Sequence, residues 1–477
     1  MSPQYRAHPI TILGNLWRVL YLIIIPVLRG FFAALGNDLT GWLAGTWADV
    51  LILLLMVGIA VLRWWWVTCR WDEDILYIHS GVLFQSETLI PWRNIVTLSV
   101  TYPFYLQPFR AVRLRVDTMG GSRANADLTI ILSPQNARTL LERGRGREEG
   151  EHRPKGAGVY TPHTSSILAL SLLNSNSLAG IVFIAAFISQ SGRLLGVEFS
   201  RLLIDTFEET ARALAFGIPP AAAALAYLLL GGWTVSFIRT FLQYKNMQVS
   251  REGDNLHIVG GTVTSREYLV KYGEVNFIDI RQSLITKVMG LYSLYISAVG
   301  YGKQKEDITC LVPTEGEAKF RQNRTLLFPA LSPAPRSLPA SMRGILRFVA
   351  QPLYLCLGVP LITGLLIWLM EGWTAFALFV GSMAMVPCVV FLLARIFDYR
   401  TGGLARRGDV FTLRYSKGFY LHTVVVNRDK IVQVELRRGF FQRFGSTCDV
   451  IVRTRGEGRI QHRCRALDLK QAEKLFA

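Results

Sequence analysis

Histidine, cysteine and arginine are the residues of this chain with chemistry to offer, and their spacing leaves little of it catalytic. His8, His79, His152, His163, His257, His422 and His462 stand singly. Cys69, Cys310, Cys356, Cys388, Cys448 and Cys464 form no CxxC pair and no Cys/His cluster, so neither a zinc site nor a disulfide scaffold is indicated. The sequence contains no HExxH, GxSxG, P-loop or GxGxxG pattern. The expectation is a non-enzymatic chain without metal or cofactor, its thiols reduced.

What remains is cationic and apolar. The 477 residues carry 52 Lys+Arg against 34 Asp+Glu, a net charge of +18, while 51% are hydrophobic and only 18% charged. That balance places segments in lipid and makes anionic lipid, rather than nucleic acid, the expected partner. A small membrane-protein partner is the second candidate. The strongest local excess is 17 Lys+Arg against 8 Asp+Glu over 397–477. Three elements mix bulky apolar residues with cations: FYLQPF with Phe104 and Tyr105, LITKVMGLY from Leu284 to Tyr292, and GFFQRFG with Phe440 and Phe441. Each reads either as core plus a turn or as a tip that enters the leaflet. On the second reading Arg437, Arg438 and Arg443 meet anionic headgroups, at ~1 kcal/mol per cation near the surface.

The elements that position these residues begin with six apolar windows, each near the ~20 residues that span a bilayer. They come in pairs: 14–36 with 46–68, 167–189 with 212–238, and 345–369 with 373–396. The connections inside the pairs are short or acidic, whereas 319–347 holds Lys319, Arg321, Arg324, Arg336, Arg343 and Arg347 and no acid. The positive-inside rule puts both termini and the polar blocks in the cytoplasm. Trp64–Trp66, Trp233, Trp368 and Trp373 suit headgroup level. Within the first pair, Arg29 and Asp49 lie across a short turn, either as a structural lock or as part of a polar path.

Behind each pair the same polar pattern returns. Aligning Asp74, Asp254 and Asp409 puts Leu76, Leu256 and Phe411 in register, then Ile78, Ile258 and Leu413. LIPWRNIVTL, LVKYGEVNFI and VVVNRDKIVQ align as second strands, and each block ends in a helix with Ser133, Thr314 or Asp468 as its expected N-cap.

This pattern of strand, glycine, strand, PWRNI segment and QPF or QRFG element, behind paired spans, resembles the bacterial pleckstrin-homology (PH) domain membrane proteins. The three-copy arrangement is similar to the YdbT-like members of that family. The resemblance implies six transmembrane helices in three hairpins, plus three cytoplasmic PH-like β-barrel domains, each capped by a C-terminal helix. It gives hairpins over 1–69, 165–240 and 344–396, domains over 70–143, 241–326 and 397–477, and basic linkers over 144–164 and 327–343. Eukaryotic PH domains hold phosphoinositides on a basic loop between their first two strands. In that loop the first block has no cation, the second has Arg266, and the third has Arg414 and Lys417, which the resemblance therefore marks for a headgroup. The resemblance further implies a bacterial inner-membrane platform for lipid or protein, in envelope maintenance or stress protection. A transporter or lipid-moving bundle and a structural assembly subunit are the rival readings.

Overall fold

The computed structural model describes residues 4–18, 46–145, 158–174, 205, 206, 209 and 220–476, apart from 73, 82–83, 121–125, 303, 305–306, 371, 440–441, 444 and 457–459. Strands recur in three sets. The first is β1 (Gln4–Arg6), β2 (Thr68–Trp71), β3 (Ile75–Ser80), β4 (Ser86–Pro91), β5 (Ile95–Tyr102), β6 (Val112–Thr118) and β7 (Leu128–Leu132). The second is β8 (Val159–Tyr160), β9 (Gln248–Glu252), β10 (Asn255–Gly260), β11 (Ser265–Lys271), β12 (Val275–Ser283), β13 (Leu291–Ala298) and β14 (Cys310–Gly316). The third is β15 (Leu338–Pro339), β16 (Gly403–Arg407), β17 (Val410–Lys417), β18 (Tyr420–Asn427), β19 (Ile431–Arg437), β20 (Thr447–Thr454) and β21 (Gln461–Asp468). A helix follows each set: Pro134–Gly144, Glu317–Leu327 and Leu469–Phe476.

Local geometry ties the sets together. The carbonyls of Asp74, Asp254 and Asp409 accept from the N–H of Trp92, Tyr272 and Arg428 at 3.0, 2.7 and 2.8 Å, each opening a one-turn 3-10 helix. The strand behind that turn bulges at its second residue every time: pairing skips from Ile95 to Thr97, from Val275 to Phe277 and from Ile431 to Gln433. β1, β8 and β15 precede the helical segments yet pair with β2, β9 and β16 behind them. Strands of two or three residues have no period to read, which is why 144–164 and 327–343 read as linkers.

The chain divides into two compact units, Met1–Gly156 with Glu252–His257 and Val263–Tyr272, and the remainder. In the first unit, the sheet β1-β2-β3-β4 and the strands β7-β6-β5-β11 share one core of Leu76, Ile78, Ile90, Val100, Leu114, Ile130 and Leu140. In the second, the sheet β14-β13-β12-β18-β17-β16-β15 and the sheet β19-β20-β21 enclose Phe411, Leu413, Val424, Val450, Val452, Cys464 and Leu467. Apolar residues alternate along these strands because one face is buried.

Three expectations are corrected. The sheets are open, not closed barrels: the edge of β5 is taken by β11 and that of β12 by β18, so strands that would close a block on itself are spent on its neighbour. Six spans were expected, but among the described residues two helices, Ile345–Leu369 and Thr374–Thr401, are long and apolar enough to cross a membrane. The helix Thr46–Trp65 has an apolar run only from Val50 to Leu62, between Asp49 and Arg63, and its Trp64 donates to the Ala7 carbonyl at 2.7 Å inside the first block. The helix Pro220–Tyr244 ends with Tyr244 buried in the second block and Gln243 bonded to the Asp307 carbonyl at 2.8 Å. Of the windows 14–36 and 167–189, residues 14–18 and 167–174 lie in the helices Thr11–Arg18 and Thr164–Asn174, and the rest lies outside the described residues. Ser133 and Asp468 do cap their helices, but Thr314 does not: β14 runs on to Gly316, and Thr314 meets Ser293 Oγ at 3.2 Å.

Candidate functional site

A cavity of about 320 Å³ in the second unit gathers four cations. Lys287 comes from the short helix Leu284–Val288, Arg336 from the segment before β15, Arg400 from the end of the helix Thr374–Thr401, and Arg414 from β17. Gln282, Thr401, Tyr415, Leu421, His422 and Thr423 complete the lining, which contains no carboxylate. The pairing of β12 with β18 makes this possible, setting Gln282 opposite Leu421 and Arg281 opposite His422.

Three of the cations are held in place by hydrogen bonds. Lys287 Nζ donates to Gln282 Oε1 at 3.3 Å, whose Nε2 donates to the Leu291 carbonyl at 2.8 Å. Arg336 donates to the Arg400 carbonyl, and Arg414 donates through Nη2 to the Ala334 carbonyl. The other terminal nitrogen of Arg414, Nη1, is buried with no hydrogen-bond partner. Burial and the nearby charge of Arg414 lower the Lys287 pKa, and burial and Arg336 lower that of Arg414. Mutual repulsion of this kind is relieved by a bound anion. Behind the lining, Asp279 receives His422 Nδ1 at 2.9 Å and Arg281 Nε at 2.6 Å. Burial pushes the Asp279 pKa up, but those two partners outweigh it and hold the carboxyl below its usual value.

The cavity sits at the end of the helix Thr374–Thr401, which is long and apolar enough to cross a membrane. About 20 residues counted from Thr374 end near Leu393, and Leu393 is exposed whereas Ala394, Arg395 and Asp398 are buried against the soluble block. Arg395 Nη1 donates to Ser416 Oγ at 2.7 Å, and that hydroxyl donates to Asp398 Oδ2 at 2.7 Å, fastening the helix to β17. Arg400 follows two turns on. Trp368 and Trp373 are exposed at the opposite end, as headgroup anchors would be. Beside the cavity, the helix Leu284–Val288 packs near the same spanning helix and exposes Ile285, Val288 and Met289.

Of the residues marked as headgroup contacts, only Arg414 lines the cavity. Lys417 is exposed at the end of β17, and Arg437, Arg438 and Arg443 are exposed at and beyond the end of β19, where Arg438 Nη2 reaches the Arg443 carbonyl at 3.4 Å. Phe104 and Tyr105 are exposed between β5 and β6 in the first unit, with ring centroids 5.6 Å apart. Phe440, Phe441 and Arg29 lie outside the described residues, and with Arg29 goes its pairing with Asp49. Lys287 was met only inside LITKVMGLY and Arg336 only in the acid-free run over 319–347, and Arg400 was not singled out. All six cysteines are free.

The family described as Bacterial PH domain matches residues 16–145, 199–322 and 352–477. A curated relative, the UPF0699 transmembrane protein YdbT of Bacillus subtilis (strain 168), is 23% identical over 473 residues, covering 93% of this chain and 91% of its own. No solved structure matches. With three family matches over most of its length and two helices fit to cross a membrane, this chain belongs to the bacterial PH domain family.

Proposed function

We propose that this chain is a non-enzymatic bacterial inner-membrane platform that holds an anionic lipid headgroup on its second and third blocks. The observation that carries this reading is the position of the cavity: four cations without a carboxylate, opening where the helix Thr374–Thr401 passes from exposed to buried. A phosphate oxygen entering there meets a cation with an unsatisfied buried donor, and charge-assisted bonds of this type are the strong ones. Ile285, Val288 and Met289 enter the acyl boundary next to the cavity and bring its mouth to headgroup level. The blocks face the cytoplasm on this reading, which the acid-free run of cations over 319–347, ahead of the helix Ile345–Leu369, supports.

The test is calorimetric titration of the full chain in a zwitterionic detergent. Dioctanoyl phosphatidylglycerol, dioctanoyl phosphatidylcholine and inorganic phosphate serve as separate titrants. Saturable binding of phosphatidylglycerol that weakens with salt and is not matched by phosphate supports a lipid site. Equal heats for the two lipids refute it, and binding of phosphate as tight as that of the anionic lipid makes the cavity a soluble-anion site.

A further inference from the structure

Two joints link successive blocks, and they follow one rule. β5 pairs antiparallel with β11, Leu98 opposite Leu269, and β12 pairs antiparallel with β18, Ile278 opposite Val425. Measured from the 3-10 turn that precedes each strand, Leu98 and Ile278 hold the same position, and in β19 that position is Val434. Measured backwards from the same turns, Leu269 and Val425 correspond to Leu89 in β4. The two joints therefore share one register as well as one pair of edges.

The remaining members of the two sets, β4 and β19, have no such neighbour. β4 ends the sheet β1-β2-β3-β4 and β19 ends the sheet β19-β20-β21, and among the described residues no strand pairs with the outer edge of either. Their side chains are exposed where the joined strands are covered. Leu269 and Val425 are 4% and 0% exposed, but Leu89 is 54% exposed. At the second position of the other strand, Val96 and Asn276 are 1% and 2% exposed, but Val432 is 70% exposed. An uncovered strand edge is a template for another strand, and soluble folds guard such edges with charge. Glu87 on β4 and Glu435 and Arg437 on β19 place charge on these two edges.

We propose that β19 of one copy pairs with β4 of a second copy, repeating the internal joint between chains. The register it inherits sets Leu89 opposite Val434, Thr88 opposite Glu435 and Ser86 opposite Arg437. The occupant is a second copy because the two complementary halves of the joint are both present on this one sequence, one in the first block and one in the third. Such a contact is heterologous, so copies assemble head to tail, closing into a ring or extending as the rotation dictates.

The test uses full chains in bacterial membranes. A Leu89→Cys chain with one epitope tag is co-expressed with a Val434→Cys chain carrying another, and the membranes are mildly oxidised. Cα atoms of facing residues in an antiparallel pair lie within disulfide reach. The expected result is a covalent product bearing both tags, absent when either chain is oxidised alone. It should be lost when Thr88→Cys, whose side chain points to the other face, replaces Leu89→Cys. The proposal is overturned if no doubly tagged product forms, or if Thr88→Cys yields as much. It is equally overturned if a doubly substituted chain closes only on itself, or if Val434→Cys is captured by a different polypeptide.

Discussion

Replacing Arg414 with methionine should separate the headgroup site from the fold. Methionine keeps the apolar stem of the side chain and removes the guanidinium. In the wild type that group gives Nη2 to the Ala334 carbonyl and leaves Nη1 buried without a partner. A phosphate oxygen seated against Nη1 makes a charge-assisted hydrogen bond of about 1.5–3 kcal/mol, which is roughly a 10- to 150-fold loss of affinity when the group is removed. Arg400 is exposed at the rim, and its loss should follow the ~1 kcal/mol of a cation at the surface, or about fivefold. Stability should hardly change. Arg414→Met gives up the bond to Ala334, but it also removes an orphaned donor and a charge that helps to hold the Lys287 pKa down. The assay is titration with dioctanoyl phosphatidylglycerol of the wild type, Arg414→Met and Arg400→Met, beside thermal unfolding without lipid. If Arg400→Met weakened binding as much as Arg414→Met, or if Arg414→Met bound normally, the buried cation would not be the recognition element.

Two further predictions concern the fold around the site. His462 is buried between Tyr415, whose hydroxyl lies 2.8 Å from Nδ1, and Thr454, and burial lowers its pKa from 6.5 to about 4. The folded chain thus prefers the neutral ring. This stability is complete above pH 6.5 and is lost as pH falls toward 4, a difference of ~3 kcal/mol at 1.36 kcal/mol per unit. Thermal unfolding of the wild type should lose stability across that window relative to His462→Gln, and parallel pH profiles would refute the assignment. Asp279→Ala should cost about 1–3 kcal/mol in denaturant unfolding, because it leaves the buried His422 Nδ1 without its hydrogen-bond partner, while Arg281, whose side chain is 41% exposed, stays solvated. A loss below about 1 kcal/mol would mean that the joint between β12 and β18 does not depend on this carboxylate.

Whether a feature was legible in the sequence depended on how far apart its residues lie in the chain. Alternation along ILYIHS and FTLRYS announced strands because one face of each is buried, and Asp74, Asp254 and Asp409 aligned because each opens the same short turn. Ser133 and Asp468 were legible as caps because a cap acts over three residues. Thr314 was misleading because a strand, which no cap signal reports, ran two residues further. Hydropathy could count apolar windows but not say how much of each is committed to a soluble block, as Trp64 and Tyr244 are.

The cavity was hidden for a stronger reason. Lys287, Arg336, Arg400 and Arg414 come from four separate segments, and nothing local in any of them points to the others. Lys287 meets the other three, which all belong to the third block, because β18 takes the edge of β12, a long-range register that no single strand encodes. The sequence did contain the information in another form, since the repeated spacing of turn and strand implies that whatever pairs at one joint pairs at the next. The same edge rule that builds the cation cavity between the second and third blocks leaves β4 and β19 uncovered. Site and assembly are then two consequences of one repeated joint. A substitution that weakened that joint, such as Asp279→Ala, should therefore disturb headgroup binding while sparing the contact between copies, because β4 and β19 lie outside the joint it breaks.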